Sequence, residues 1–407
     1  MSPTTTTAAT AASGTARWTV ILCWITVLLE GYDLVVLGAI IPTLLKTEYL
    51  GFTAVDATTV ATMSLVGVAV GAIGVGPLSD RFGRRIVLIG SVVIFSVFTL
   101  LVPLSTSVAM FAGLRFLAGL GLGACMPASL TMMSEALSAD KRARASTLTM
   151  TGYHTGAVII SLLAVYFAGD WKVLFYVLGL IGLVVAAVQW VKLPESADFL
   201  ARVEAKAEKL PMKALLRPTL LRTCVGVWVT SFMGLLLVYG LNTWLPQLMA
   251  AAGYPVPHAV AQLLILNAGG IVGLIVGGYV ADRRGIKGTI IAWFGAGAVF
   301  LALLSVKTGS DVVLGITVFF TGVFVFSAQV LVYAYVTQVF PTELRGTALG
   351  SASGIGRIGS IVGPVITGAL VAGGVGHPWG FYFFAAVGML ALLAVVTLPK
   401  GDKVLTA

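Results

Sequence analysis

The sequence predicts an all-α integral membrane protein with twelve transmembrane helices in two pseudo-symmetric six-helix bundles. The 407-residue chain is 58% hydrophobic and only 10% charged, and its mean hydropathy is +1.02. Such a chain is far more apolar than a soluble domain. Twelve apolar stretches are each long enough to cross a bilayer, and one polar motif occurs twice, about half a chain apart.

The predicted spans follow one another through mostly short connections. Each needs about 20 mainly apolar residues to cross the hydrocarbon core. We place them at residues 18–45, 57–79, 84–104, 107–135, 144–169, 173–193, 218–249, 259–281, 288–306, 310–338, 345–372 and 378–398. The even number of spans puts both chain ends on the same side of the membrane.

Lysine and arginine residues predict which side that is. They concentrate at the chain ends and in the even-numbered connections, whereas the opposite side carries only Lys46, Lys172 and Lys307. Because cytoplasmic loops hold the excess of basic residues, we expect both termini to be cytoplasmic and the protein to lie in the plasma or inner membrane. The net charge of +9 then reflects topology, and we expect no nucleic-acid partner.

Composition along the chain predicts its domains. The first sixteen residues are a Thr/Ala-rich segment without the basic n-region of a signal peptide, so we expect residues 1–16 to be a disordered cytoplasmic tail. Residues 17–193 are predicted to form the first bundle, 194–217 a polar cytoplasmic linker and 218–399 the second bundle. Residues 400–407 form a second cytoplasmic tail in this prediction.

A polar motif divides the chain into two related halves. The segment GPLSDRFGRR, from Gly76 to Arg85, recurs as GYVADRRGIK, from Gly278 to Lys287. Each copy ends the second predicted span of its half. The residues are typical of a helix end with a tight Gly turn, followed by cations that interact favourably with helix C-terminal carbonyls. The repeat predicts a duplicated six-helix unit.

These paired G-x-x-x-D-R-x-G-R/K segments resemble the signature of the major facilitator superfamily, and the resemblance extends over the whole chain. The segment RFLAGLGLGA, from Arg115 to Ala124, is similar to the family's R-x-x-x-G-x-G-x-G pattern. The resemblance implies two six-helix bundles related by a pseudo-two-fold axis along the membrane normal. It also implies a midplane site between the bundles that opens to each side in turn.

Other sequence patterns give no sign of a cofactor or a metal. Gly119, Gly121 and Gly123 lack the G-x-G-x-x-G register of a dinucleotide site and follow no strand, so close helix packing is the better interpretation. Without a Walker-type phosphate loop, we expect energy from a proton gradient and no cofactor. The three cysteines lie singly in apolar segments, without metal-ligand or disulfide-like spacing, and are predicted to be structural: Cys23, Cys125 and Cys224.

Two acidic residues lie within the first span, in the segment LEGYDLVVL. A charge at the bilayer centre costs about 2.5 to 3.5 kcal/mol, so it is expected to face a cavity or a partner. Glu30 and Asp33 are spaced i, i+3 and share one helix face. We predict that Asp33 carries a proton, with Glu30 as its coupling partner. The alternative is that one acid is a permanent ion-pair partner of Arg115 and fixes the packing of the first and fourth spans.

Comparing the halves with an offset of 203 residues superposes His154 of the fifth span on Arg357 of the eleventh. In a pseudo-symmetric carrier these helices flank the central cavity from opposite halves. Both side chains could then approach one bound anion, and the forked donors of Arg357 suit a carboxylate. The alternative for each residue is a tie to a neighbouring helix.

The same offset places Gln338 opposite Glu135 and Arg345 opposite Arg142. We predict a cytoplasmic network of Glu135 with Arg142 or Arg144 and with Asp80. The network could serve as a gate or as a static brace. The full set predicted for gating is Asp80, Arg81, Gly83, Arg84, Glu135, Arg142, Arg144, Asp282, Arg283 and Arg345.

The first span narrows the resemblance. The segment EGYDLVVLGAIIP, from Glu30 to Pro42, resembles the D-G-x-D segment of the aromatic acid/proton symporters, carriers of benzoate and hydroxybenzoates. YGLNTWLPQLM, GRIGSIVGP and LPES support the match, and Glu30 departs from it because the family usually has Asp there. The resemblance implies import of an aromatic carboxylate with protons by alternating access. It marks these residues as important for transport: Glu30, Asp33, Asp80, Arg115, Glu135 and Arg357.

An aromatic carboxylate needs a cation for its carboxyl group and apolar or aromatic walls for its ring. Arg357 could supply the cation. The candidates for the walls are Tyr32, Trp228, Tyr239, Trp244, Phe326 and Tyr333. Asn242 and Asn267 are the candidates for binding ring hydroxyls. For each of these residues, packing is the alternative role. The expected partners are therefore a small aromatic carboxylate, protons and the lipid bilayer, and we expect a monomer.

Three other functions are alternatives to this one. A drug/proton exporter of the same fold usually carries a Gly-Pro-rich motif on the fifth span, where this chain reads GYHTGAVIISLLA without proline. A carrier of another small organic acid stays open. An enzyme or receptor is not expected, because the sequence has no appended domain and no nucleophile with a base at workable spacing.

Overall fold

The computed structural model describes residues 4–136, 142–167, 170–196, 215 and 218–400. Within these ranges the chain forms twelve α-helices and no β-strand. The helices are α1 Thr4–Lys46, α2 Ala54–Phe82, α3 Arg84–Leu101, α4 Val108–Ala136, α5 Arg142–Tyr166, α6 Trp171–Lys192, α7 Pro218–Ala251, α8 Val256–Arg284, α9 Ile286–Leu303, α10 Asp311–Val339, α11 Thr342–Ala372 and α12 Gly376–Val396. The predicted twelve-helix architecture is confirmed.

Eleven of these helices are long and apolar enough to cross a membrane, judged over the described residues. The exception is α5, which begins RARASTLTMTGYHT and therefore carries basic and hydroxyl side chains through its first half. Such a helix requires protein neighbours more than the other eleven do, because polar groups are costly in lipid. The chain is a multi-pass membrane protein.

The first helix begins earlier than the sequence predicts. Residues 4–16, expected to lie in a disordered tail, form the first turns of α1. Extending an existing helix costs little compared with nucleating a new one, and the alanines of this segment are strong helix formers.

The chain divides into two compact units. The first unit comprises residues 1–36, 63–160 and 169–207, and the second comprises 37–62, 161–168 and 208–407. The sequence instead predicts a division at 194–217 alone. Residues 37–62 belong to the second unit because the C-terminal part of α1 packs against α7. A Cβ at Gly38 would lie 1.9 Å from the carbonyl oxygen of Asn242.

Within the first unit, helices approach one another at glycines. A Cβ at Gly119, Gly121 or Gly123 of α4 would lie 2.0 to 2.5 Å from a backbone carbonyl oxygen of α2 or α3. No side chain fits there, so these glycines let the helix backbones meet. The interpretation of this Gly-rich segment as a packing surface is confirmed.

The repeated motif forms the same turn in both copies. Gly83 separates α2 from α3 with φ of 89°, and Gly285 separates α8 from α9 with φ of 87°. Such positive φ values are readily adopted by glycine and disfavoured for other residues. The predicted tight Gly turn is confirmed in each half.

We expect replacement of Thr53 by alanine to lower the free energy of unfolding by about 1 kcal/mol, the usual cost of losing a helix cap. Thr53 precedes α2, its hydroxyl and its N–H both donate to Asp56 Oδ2, at 2.6 and 2.9 Å, and its Oγ1 accepts from the Asp56 N–H at 3.3 Å. Thermal or denaturant unfolding of the purified protein measures the change. Thr59→Ala, the same substitution inside α2, is the control and should be neutral or slightly stabilising. Equal losses at both positions would contradict the capping role.

Candidate functional site

A fully buried ion pair lies in the first unit. Asp33 of α1 and Arg115 of α4 have no solvent-exposed side-chain surface, and Arg115 Nη1 donates to Asp33 Oδ1. The hydroxyl of Thr99 on α3 donates to Asp33 Oδ2 at 2.5 Å. The ion pair with Arg115, the alternative role considered for one of the two acids, is formed by Asp33.

The second terminal nitrogen of Arg115 extends this cluster. Nη2 donates to the backbone carbonyl of Asp33 at 3.2 Å and to Oγ of Ser64 on α2 at 3.1 Å. Four helices, α1 to α4, therefore contribute a polar group to one buried charge pair. We call Asp33, Arg115, Thr99 and Ser64 the acid cluster.

Glu30 lies one helical turn before Asp33 and is equally buried. Both carboxyl groups lie within electrostatic range of the Cys125 thiol on α4, so they occupy one neighbourhood of the first unit. A buried ion pair is stable only while both charges are present. Protonation of an acid here can therefore change the packing of several helices.

A cation lies among aromatic rings in the second unit. Nη1 of Arg357 on α11 donates to the Tyr239 hydroxyl of α7 at 2.9 Å. The guanidinium carbon lies 5.9 Å from the centroid of the same ring, within the range of a cation–π contact. Tyr333 of α10 is also within electrostatic range of Arg357. Of the predicted substrate residues, these three come together.

The other predicted substrate residues make separate contacts within their own unit or are simply buried in it. The Asn267 amide donates to Asn242 Oδ1 at 3.0 Å, and both side chains are buried, so they brace α8 against α7. The Tyr32 hydroxyl donates to the Leu174 carbonyl at 3.1 Å. Trp228 Nε1 donates to Ser351 Oγ at 2.9 Å, and Trp244 and Phe326 are buried. In the first unit, His154 is buried, and its ring centroid lies 5.3 Å from that of Tyr153.

The polar network at the start of α3 gives Glu135 partners that the sequence did not predict for it. Glu135 of α4 pairs with Arg84 and accepts a hydrogen bond from the Ser196 hydroxyl. Glu195 Oε1 accepts from the backbone N–H groups of Arg84 and Arg85, at 3.0 and 3.1 Å. The segment after α6 thus caps the N-terminus of α3 with a carboxylate, a favourable position for negative charge.

Several predicted gate residues lie apart from this network. The side chains of Asp80, Arg142 and Arg144 are outside the described residues, so their predicted contacts with Glu135 stay predictions. Arg81, Asp282 and Arg283 are exposed, with Arg283 stacked on Tyr279 at 4.2 Å. Arg345 Nε donates to the Phe340 carbonyl at 3.0 Å, and Gly83 forms the turn described above.

Sequence reasoning missed Thr99, Ser64 and Ser196. The first two are single hydroxyl residues in apolar helices, and such residues often bond only to their own helix backbone. Ser196 lies in LPES, which contributed only to the family resemblance. Within the described residues, no group of His, Cys, Asp and Glu could hold a metal ion.

A multi-pass helical protein with buried charges on its membrane helices is typical of secondary transporters. Comparison with known families places the chain within that class. The chain belongs to the Major Facilitator Superfamily, which it matches over residues 23–364.

Named relatives cover nearly the whole chain. A gentisate transporter of Corynebacterium glutamicum is 35% identical over 96% of this chain and 89% of its own length. A benzoate transport protein of Acinetobacter baylyi is 30% identical over 93% of this chain and 88% of its own. The crystal structure of a D-xylose-proton symporter superposes with a TM-score of 0.77 at 19% identity, covering 95% of this chain and 99% of that one, which supports the shared fold.

Proposed function

We propose that this protein imports an aromatic carboxylate, benzoate or a hydroxybenzoate, in symport with protons by alternating access. The observation that carries the proposal is Arg357, a cation on a membrane helix held by Tyr239 beside Tyr333. A guanidinium binds a carboxylate through two parallel hydrogen bonds, and tyrosine rings supply the aromatic wall. The two relatives named for gentisate and benzoate support the same substrate class.

The acid cluster supplies the proton step in this proposal. Protonation of Asp33 removes the charge that holds Arg115, so the links among α1, α2, α3 and α4 weaken. Deprotonation restores the pair and the buried packing. Asp33 is the proposed proton carrier, and Glu30, one turn away in the same buried neighbourhood, modulates it by charge.

The driving force depends on the number of protons. A monoanion carried with one proton has no net charge, so only the pH gradient drives it. With two protons, the membrane potential adds about 2.3 kcal/mol per 100 mV.

We propose a monomer with both termini cytoplasmic. In this proposal the Arg84–Glu135 network, together with Asp80, Arg142 and Arg144, restrains the cytoplasmic ends of the helices as a gate.

Uptake of labelled benzoate and hydroxybenzoates into proteoliposomes under an imposed pH gradient tests this function. We expect Arg357→Leu to weaken substrate binding about 10- to 150-fold, the loss of one charge-assisted hydrogen bond. Arg357→Lys should recover only part, because lysine is a point charge without the planar fork. Isothermal titration of the purified protein measures the affinity.

The matched control is Arg222→Leu, which removes an exposed arginine from α7 of the same unit and should leave affinity unchanged. Uptake that ignores the pH gradient, or full concentrative uptake by Asp33→Asn, contradicts proton coupling. Preference for an aliphatic acid or a cationic drug in a competition panel contradicts the substrate class.

A further inference from the structure

A buried amide near Arg357 makes no hydrogen bond of normal geometry. Gln329 lies on α10 and is only 3% exposed. Neither its amide oxygen nor its amide nitrogen makes a hydrogen bond of normal geometry to any residue the structure describes. Buried amides are nearly always paired, since an unpaired one loses its bonds to water without replacement. Apart from its contact with Tyr333, the amide therefore has donor and acceptor capacity left for a ligand.

The packing around Gln329 makes room for its amide. A Cβ at Gly234 of α7 would lie 1.9 Å from Gln329 Oε1. Any larger residue at 234 would push the amide aside. Because Gly234 has no side chain, the amide of Gln329 lies directly against the backbone of α7.

Gln329 belongs to the same group of side chains as Arg357. Tyr333, one turn later on α10, approaches Gln329 and Ser353 and lies within electrostatic range of Arg357. Arg357 in turn bonds to Tyr239, which lies on α7 five residues after Gly234. All of these residues are in the second unit. An amide and a guanidinium therefore both lie close to Tyr333.

A second polar group without a partner lies on the same stretch of α7. Ser231 precedes Gly234 by one turn, is fully buried, and its hydroxyl makes no hydrogen bond within the described ranges. The Ser231 carbonyl would lie 3.2 Å from a Cβ at Gly356, the residue before Arg357. Two unsatisfied polar side chains thus lie on helices that meet beside the proposed carboxylate-binding arginine.

We propose that Gln329 determines specificity by binding a ring hydroxyl of the aromatic acid whose carboxylate Arg357 binds, so that the preferred substrates are hydroxylated. This inference rests on the proposed function. A phenolic hydroxyl donates one hydrogen bond and accepts others, and an amide offers one acceptor and two donors in the same plane. Ser231 is the second polar contact on this side.

The expected selectivity follows from the cost of a poorly hydrogen-bonded buried amide. A hydroxybenzoate gives Gln329 a hydrogen bond of good geometry, whereas benzoate leaves the amide without one. A site built to bond a substrate hydroxyl discriminates strongly against the analogue that lacks it. We expect the parent protein to bind at least one of 2,5-dihydroxy-, 3-hydroxy- and 4-hydroxybenzoate at least tenfold more tightly than benzoate.

Gln329→Leu tests the inference, because leucine is apolar and similar in size. Titration of the purified variant should show the hydroxybenzoate affinity falling about tenfold while benzoate affinity changes less than threefold. Gln262→Leu is the matched control, since it removes another buried glutamine of the second unit, on α8, and should keep the parent's preference. Gly234→Ala, which displaces the amide without removing it, should shift the preference in the same direction as Gln329→Leu.

The outcomes separate the two proposals. A parent that binds aromatic acids without preferring a hydroxylated one, or a Gln329→Leu protein with the parent's preference, overturns the role of Gln329 and leaves the proposed function standing. A parent that binds no aromatic acid overturns the proposed function itself. Should Gln329→Leu fail to fold, as judged by its melting curve, Gly234→Ala decides, and an unchanged preference there overturns the inference.

Discussion

Arg115→Leu is expected to lower the free energy of unfolding by about 3 to 5 kcal/mol, the cost of leaving one partner of a buried ion pair uncompensated. Asp33 is fully buried, and its other side-chain donor in the described structure is the Thr99 hydroxyl. A single neutral donor cannot replace a guanidinium. Denaturant titration of the purified protein in detergent measures the change in the free energy of unfolding.

The double variant Asp33→Leu with Arg115→Leu separates charge from packing. Replacing both partners of a buried pair with apolar residues is often neutral or stabilising, so much of the stability should return while proton-coupled uptake stays absent. Arg222→Leu, at an exposed position, controls for the loss of one positive charge. A single Arg115→Leu protein as stable as the parent would mean that Asp33 finds compensation that its described contacts do not provide.

Gly156→Val is expected to destabilise the protein by about 3 kcal/mol or more, at or above the upper range for overpacking. Gly156 of α5 faces α1, and a Cβ there would lie 1.9 Å from the Leu28 carbonyl oxygen and 2.8 Å from the Tyr32 nitrogen. These are backbone atoms that cannot rotate aside. The contact is reciprocal, because a Cβ at Gly31 of α1 would lie 2.0 Å from the Tyr153 carbonyl oxygen on α5.

Gly90→Ala provides the contrast. A Cβ at Gly90 of α3 meets no atom within 4 Å, so alanine adds helix propensity without a clash and should stabilise the protein by up to about 1 kcal/mol. Melting temperatures of the two variants in one detergent give the comparison. If both substitutions shift the melting temperature in the same direction, close α1–α5 packing does not control stability here.

Much of the fold could be predicted from local sequence. Apolar length predicts a membrane helix because the bilayer core has a fixed thickness, and the repeated Gly turns at Gly83 and Gly285 follow from backbone sterics alone. The start of α1 could not be predicted, because an Ala/Thr segment is helical when it extends an existing helix and disordered otherwise. The grouping of residues 37–62 with the second unit depends on a contact between Gly38 and α7, more than 200 positions away.

The candidate residues could be identified from the amino-acid sequence: two acids one turn apart, one arginine on the fourth span and one on the eleventh, and a superfamily signature. Helical periodicity assigns residues to a face but does not name the neighbour that the face meets. The three-dimensional structure was needed to show that Asp33 pairs with Arg115 and Glu135 with Arg84. It was also needed to show that Gln329, near Arg357, makes no hydrogen bond of normal geometry in the described residues. The energy of a buried polar group depends on atoms that helices distant in sequence bring to it.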